Sequence, residues 1–271
     1  MIKVALIGIG KTGRHIADEI LKQDNMEIVS AICSPESKKN GMSLGDLLGN
    51  NKSEVKISTS RELESIIFKT KPDIAVDFST PSATMENALT LSEMKINMVI
   101  GTTGFSKEDI DKLQSMSYKF NTGIVYAPNI TLGVNVMMLL ANIATTVLNN
   151  YDFQILEIHH KNKHDIPSGT ALKLSQEIKS GLQSSGVFNK DIPVNAIRTG
   201  NIVGKHEILI TGDNDQIKIS HESFSRKAFA SGAINAINYI YKKPGYYEMK
   251  DILDLKRVLY GYIDSLDRAL C

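Results

Sequence analysis

Residues 1–20 read MIKVALIGIGKTGRHIADEI, and their reading decides the fold. Ile2 to Ile7 is a short apolar run of strand length, and it stops at Gly8-Ile9-Gly10-Lys11-Thr12-Gly13. Ile16, Ala17, Ile20 and Leu21 then recur at helical spacing. Strand, GxGxxG and helix in that order predict the first turn of a dinucleotide-binding sheet. The first glycine permits the tight turn, the second lets backbone approach a pyrophosphate, and the third lets helix pack on strand. A glycine-rich turn without a ligand is the plainer alternative; the strand before and the helix after favour binding.

Outward from this turn the same alternation continues. A second strand, Met26 to Ile32, runs into Cys33-Ser34-Pro35, and Glu36 comes too late to hold the adenosine ribose in the usual way. Ser34 with Lys38 and Lys39 suits a 2′-phosphate, which tilts the expected cofactor weakly from NADH towards NADPH and leaves both open; a solvated loop is the plainer reading for either lysine alone. Val55–Ile57, Asp73–Phe78, Asn97–Ile100 and Gly123–Tyr126 read as further strands, with helical patterns at 61–68 and 82–94. Their carboxyl ends carry Ser79-Thr80-Pro81, Gly101-Thr102-Thr103 and Ala127-Pro128-Asn129, at the edge where open parallel sheets bind ligands. Residues 1–128 are therefore expected to form a doubly wound, Rossmann-type α/β domain.

From Thr131 the pattern changes. Strands at 152–158, 194–198, 207–211 and 216–221, with helices at 131–148 and 168–182, suggest a smaller α+β domain on a mixed sheet over 129–240. A small-residue-rich helix at 225–241 suits close packing, and 241–271 is expected to return to the first domain. Within the second domain, residues 157–171 read EIHHKNKHDIPSGTA. Pro167 ends what precedes it, and Ser168 is a good N-cap for a helix entering through Gly169, Thr170 and Ala171. The free amides of that first turn, with Lys163 nearby, make an anion clamp beside His159 and His160, groups that exchange protons near neutral pH. Two other readings stand beside this one: a solvated polar turn, and a metal site from His159, His160, His164 and Asp165. The metal reading is the weaker, because adjacent histidines at a strand end point to opposite faces, and no HExxH or cysteine spacing supports it.

The bulk numbers exclude several classes. With 271 residues, 42% apolar and 23% charged, the composition is that of a soluble globular chain with room for two cores. A net charge of +1 gives no footprint for nucleic acid or an anionic membrane. No apolar run nears the roughly 18 residues of a membrane span, and the amino terminus has no signal-peptide layout. Two distant cysteines, Cys33 and Cys271, suit a reducing cytoplasm better than a disulfide framework.

The stretch EIHHKNKHDIPSGTA closely resembles the signature of the 4-hydroxy-tetrahydrodipicolinate reductase (dihydrodipicolinate reductase) family. GTTGF (Gly101–Phe105), APN (Ala127–Asn129) followed by GVNVM (Gly133–Met137), and R-x-G…VGKH (Arg198–His206) support it. SHESFSRKAFASGA (Ser220–Ala233) and MKDILDL (Met249–Leu255) extend it over nearly the whole chain. The resemblance implies reduction of a cyclic dicarboxylate in lysine and diaminopimelate synthesis, with NADH or NADPH as hydride source. It implies His159 as proton donor or acceptor and Lys163 as a second proton-donating, carboxylate-positioning group. His160, Gly169 and Thr170, with Ser168 at the cap, would hold substrate carboxylate. Gly8 to Gly13, Gly101 to Thr103 and Ala127 to Ile130 would line the cofactor. It further implies a homotetramer associating through the sheet of the substrate domain. The chain departs from the family pattern in its shorter first loop, in Lys205 and Glu207, and in a tail, 256–271. The tail's helical pattern (Val258, Leu259, Tyr262, Ile263, Leu266) is expected to cap the first domain or an oligomer contact. A dehydrogenase of an aspartate-derived aldehyde would need a nucleophilic cysteine that the sequence does not show. A non-catalytic sensor would have no use for a proton donor beside an anion clamp. A metal-dependent hydrolase would have to draw its ligands from the histidine cluster.

Overall fold

A computed structural model describes residues 1–50, 52–254, 257 and 260. These residues group into two compact units: Met1–Ile130 with the chain from Phe229 onward, and Thr131–Ala228.

In the first unit, β1 (Ile2–Ile7), β2 (Met26–Cys33), β3 (Ile57–Thr59), β4 (Ile74–Asp77), β5 (Asn97–Ile100), β6 (Gly123–Tyr126) and β11 (Gly245–Tyr247) form one sheet. The order is β11-β6-β5-β4-β1-β2-β3, and every pairing is parallel. The chain winds one way from β1 to β3 and then crosses to β4 on the other side of β1. The carboxyl ends of β1 and β4 thus flank the switch point, where ligands enter such sheets. The strands are buried on both faces, so they read as continuous apolar runs. Helices α1 (Lys11–Ile20), short α2 (Leu44–Leu48), α3 (Leu63–Thr70), α4 (Pro81–Glu93) and α5 (Lys107–Phe120) lie in the crossovers. Leu63, Ile67, Ala88, Leu91 and Leu113 pack with Ile7, Ile32, Met98 and Ile124 in one core.

Local chemistry explains the boundaries. Helix α4 opens with Pro81 in its first turn after extended Thr80. Helix α5 is an addition to the elements expected from sequence, although Ser106 and Asp109 form a reciprocal capping box at its start. Strand β3 begins only at Ile57, and α3 is preceded by a 3-10 turn over Ser60–Glu62, so both lie later than expected.

The second unit holds a four-stranded sheet in the order β10-β9-β7-β8. β7 (Asp152–His159) and β8 (Val194–Arg198) are parallel, while β9 (Gly204–Thr211) and β10 (Gln216–Ser223) are antiparallel to their neighbours. Phe153, Ile155, Ile208 and Ile210 on its inner face pack against α6 (Leu132–Val147) and α7 (Gly169–Ser184). The two helices touch closely at Gly181, where a Cβ would strike Thr145 Oγ1 and the Asn142 carbonyl. This is the mixed sheet with helices to one side that the sequence suggested.

The return to the first unit falls at Phe229, inside α8 (Lys227–Ile240), rather than at 241. The reason lies in small residues. Gly232 sits against the Ile130 carbonyl so closely that no Cβ fits, and Ala233, Ala236, Ile237 and Ile240 are buried. Asn97 then ties the helix end to the sheet, donating from Nδ2 to the Ile240 carbonyl at 2.8 Å. The helical pattern expected at 256–271 lies outside the described residues. No helix among the described residues is long and apolar enough to cross a membrane.

Candidate active site

The glycine turn of the first unit has the geometry its sequence predicts. Gly8 has φ +86°, and a Cβ there would collide with the Phe78 carbonyl at the end of β4. Gly13 is equally constrained, because its Cβ would meet the Gly8 carbonyl, so α1 can approach β1 only with glycine present. Gly10, by contrast, faces open space, with nothing within 4 Å of where its Cβ would stand. It caps α1 without any side chain satisfying the helix amides. An open helix amino end whose caps are unfilled fits a pyrophosphate. Lys11 is exposed and Thr12 half-buried, whereas Ile9 is 2% exposed and turned into the core, so only its backbone can face a ligand. Ala127 and Ile130 are likewise buried, with Pro128 and Asn129 half-buried between them.

Ser34 is exposed just past β2. Lys39 does more than the sequence indicated: its Nζ donates to the Ile9 carbonyl at 2.6 Å, which brings a cation onto the glycine turn itself. Glu36 is paired with Arg61 at 2.7 Å. At the end of β4, buried Asp77 accepts from Ser79 N (2.8 Å), Ser79 Oγ (2.6 Å), Thr84 Oγ1 (3.2 Å) and Asn87 Nδ2 (3.2 Å). Thr102 joins this network through Thr84 at 3.1 Å and is buried, while Thr103 is exposed. Gly101 lies under the Phe78 ring, with no room for a side chain. Burial raises the Asp77 pKa, and the bonds from Ser79, Asn87 and Thr84 offset part of that rise.

In the second unit, alternation along β7 sends Phe153, Ile155, Glu157 and His159 to the inner face. Register across the sheet then lines up His159 with Arg198, Glu157 with His206, and His206 with His221. A polar row from four strands thus ends the apolar core beneath the start of α7. Glu157 is fully buried; its Oε1 accepts from Arg198 Nη2 at 2.9 Å and from Ser168 N at 3.0 Å. Its Oε2 lies 3.4 Å from His159 Nδ1 and 3.6 Å from His206 Nε2, without a hydrogen bond to either. Burial would raise the Glu157 pKa, but contacts with His206, Ser168 and Arg198 outweigh it and hold the carboxylate well below its usual range.

Ser168 is the N-cap of α7, and its Oγ accepts from Ala171 N at 3.2 Å. This corrects one expectation: the Ala171 amide is already used and is not open to a ligand. Gly169 faces open space. Lys163 pairs with Asp165 at 2.8 Å, and His160 is half-buried on the loop between.

His159 sits in a setting that the sequence does not reveal: its imidazole is pushed down to about 4, first by burial and then by His206, Lys163 and Arg198, against an opposing pull from Glu157. It is neutral at pH 7. Among the described residues, the one His, Cys, Asp and Glu cluster with potential ligand atoms within 4.8 Å of one another is Glu157, His159 and His206. It contains none of His160, His164 and Asp165, and the Arg198 guanidinium bonded to Glu157 disfavours a cation there.

Glu157, Arg198, His206 and His221 lie within the motifs quoted from the sequence, but sequence reasoning assigns none of them a role. The signal for Glu157 is its position two residues before His159, which puts an acid on the same buried face. His206 is hidden because β9 starts at Gly204 and takes the whole GKH segment into the strand.

A doubly wound parallel sheet with an open glycine turn at its switch point fits a nicotinamide-dinucleotide-dependent oxidoreductase, here carrying a second unit with a loop that bears histidines and a lysine. Comparison with known proteins narrows this class. Residues 2–130 match the family described as dihydrodipicolinate reductase, N-terminus, and 133–253 its C-terminus. A 4-hydroxy-tetrahydrodipicolinate reductase from Methanocaldococcus jannaschii is 36% identical, covering 96% of this chain and 100% of its own. One from Methanopyrus kandleri is 37% identical over 93% of this chain and 97% of its own. A solved structure, dipicolinate-bound dihydrodipicolinate reductase from Paenisporosarcina sp. TG-14, superposes with TM-score 0.72 at 28% identity, covering 92% and 97% of the two chains. The chain belongs to the 4-hydroxy-tetrahydrodipicolinate reductase family.

Proposed function

We propose that the protein reduces 4-hydroxy-tetrahydrodipicolinate to tetrahydrodipicolinate, with NADPH favoured over NADH. The observation that carries this reading is the loop from His159 to Thr170. It places an ammonium, an unobstructed helix start at Gly169 and an imidazole on one short segment. Its sequence match to proteins of that name, and the dipicolinate bound to the Paenisporosarcina reductase, supply the substrate class.

Bound nicotinamide supplies a hydride. The 4-hydroxyl leaves with a neighbouring ring hydrogen as water, which gives the conjugated ring that the hydride reduces, so the chain's own residues have to bind two carboxylates and deliver one proton to the ring. Lys163, His160, Gly169 and Thr170 take the carboxylates, with Ser168 fixing the turn they depart from. Lys163 exchanges its contact with Asp165 for a carboxylate of the ring. His159, neutral beforehand, takes up a proton from solvent as the dianion arrives, because opposite charge nearby favours the imidazolium. Its proton is then available for the reduced ring at neutral pH. On the other unit, Gly8 to Gly13 receive the pyrophosphate, Gly101 to Thr103 and Ala127 to Ile130 line the nicotinamide half, and Ser34 with Lys39 takes a 2′-phosphate.

Self-association as a homotetramer fits the outer face of the second sheet. Ile197 is 43% exposed, and Leu156, Ile158 and Leu209 share its face with Lys205 and Glu207. These four apolar side chains, ringed by polar ones such as Gln154, Asn195 and Lys218, form a patch suited to cover by another copy.

The test of the activity is a coupled assay. Substrate is generated afresh from aspartate semialdehyde and pyruvate, and loss of reduced-cofactor absorbance is followed. Turnover dependent on both precursors is expected; cofactor oxidation that ignores them would overturn the assignment.

A further inference from the structure

The loop from His160 to Ser168 is irregular and buries little apolar surface, with Ile166 63% exposed. Its order therefore has to come from polar contacts: Lys161 N donates to the Gly200 carbonyl at 3.2 Å, and the ties at 163, 165 and 168 converge on two residues of the strands beneath. Arg198, the last residue of β8, donates from Nη2 to the Asp165 carbonyl at 2.6 Å and to Glu157 Oε1 at 2.9 Å. Its Nε donates to the Lys163 carbonyl at 3.3 Å. Glu157 Oε1 in turn accepts from the Ser168 amide at 3.0 Å. One buried ion pair thus grips the loop at 163, 165 and 168.

We propose that Arg198 and Glu157 are the positioning residues of this loop, fixing the Lys163 backbone and the start of α7 in one array before any dicarboxylate binds. The proposal rests on the reading of the loop as the dicarboxylate clamp. Neither residue touches a reacting atom; each acts through Lys163 or Ser168. The planar guanidinium is essential, since a single fork reaches two carbonyls and a carboxylate that a lysine ammonium cannot reach together.

The test compares full-length Arg198→Lys and Glu157→Gln with wild type by three readouts. These are kcat and KM, calorimetric affinity for pyridine-2,6-dicarboxylate, and amide hydrogen exchange over 160–170. Arg198→Lys is expected to weaken dicarboxylate affinity and raise KM by about tenfold or more. Exchange of the loop amides accelerates, while affinity for reduced cofactor and protection of β7 stay as they were. Glu157→Gln retains an acceptor for Ser168 but removes the charge beside His159. The groups facing this position are His159 on the same strand, Arg198 on β8 and His206 on β9, with Lys163 acting on His159 and His221 beside His206. Loss of the carboxylate lowers the proton affinity of His159, the proposed acid, and so shifts the alkaline limb of kcat to lower pH. A purely structural pair would lower the melting temperature and leave KM, dicarboxylate affinity and this pH profile unchanged, which would overturn the proposal. If Arg198→Lys does not fold, Glu157→Gln decides by the same readouts. A wild-type protein that binds no dicarboxylate and shows no turnover defeats the proposed function alone, because loop exchange in the variants still judges the positioning.

Discussion

His159 and Lys163 divide the proposed chemistry, and their settings differ. The imidazole is buried beside a carboxylate, whereas the ammonium is paired to a half-exposed acid at the loop surface. His159→Gln and Lys163→Ala are each expected to slow turnover by about a hundredfold or more, with cofactor affinity unchanged in a fluorescence titration. Near-wild-type rates in both would remove the assigned roles. Lys39, held over the glycine turn, is expected to set cofactor choice: Lys39→Ala lowers kcat/KM for NADPH by about tenfold and leaves NADH nearly untouched. The buried groups also fix an acid sensitivity. In the unfolded chain the His159 imidazole takes a proton near 6.5, but in the folded protein only near 4. Between those values the unfolded state binds more protons, so its population grows as pH falls. Glu157, whose folded pKa is lowered from 4.5, adds to the loss as pH drops below that value. Melting temperature is therefore expected to fall from pH 6.5 to 4, with a shallower slope in His159→Asn.

The start of α7 joins sequence signal and site most directly. Ser168 satisfies a first-turn amide and also lies 3.3 Å from His206 Nε2. Ser168→Ala is expected to cost about 1 kcal/mol of stability and to raise KM for the dicarboxylate, as read from urea denaturation and steady-state rates. This cap is legible because Pro167-Ser168-Gly169 is a local signal, as are the glycine turn and the parallel strands. The partners of Glu157 are not legible. They come from β8 and β9, and only cross-strand register sets Arg198 and His206 beside it. The same limit hides the role of Lys39, whose contact with Ile9 spans two βα loops. Strand β11 escapes for another reason: its three residues have neither length nor alternation, and pairing with β6 alone makes them a strand.

At the scale of the whole molecule, the second unit is one uninterrupted segment inserted into the first. Its core of Phe153, Ile155, Leu174, Ile178, Ile208 and Ile210 is drawn entirely from within that segment. Residues 131–228 expressed alone are therefore expected to fold, giving a cooperative thermal transition and dispersed amide resonances. A fragment lacking both would show that the core depends on its host. The insertion also has a consequence for biosynthesis. β6 emerges early from the ribosome, but its neighbour β11 and the helix that seals Ile130 are translated only after the whole inserted segment. Until then the nascent nucleotide unit carries an open strand edge, a surface for chaperones or for another nascent chain.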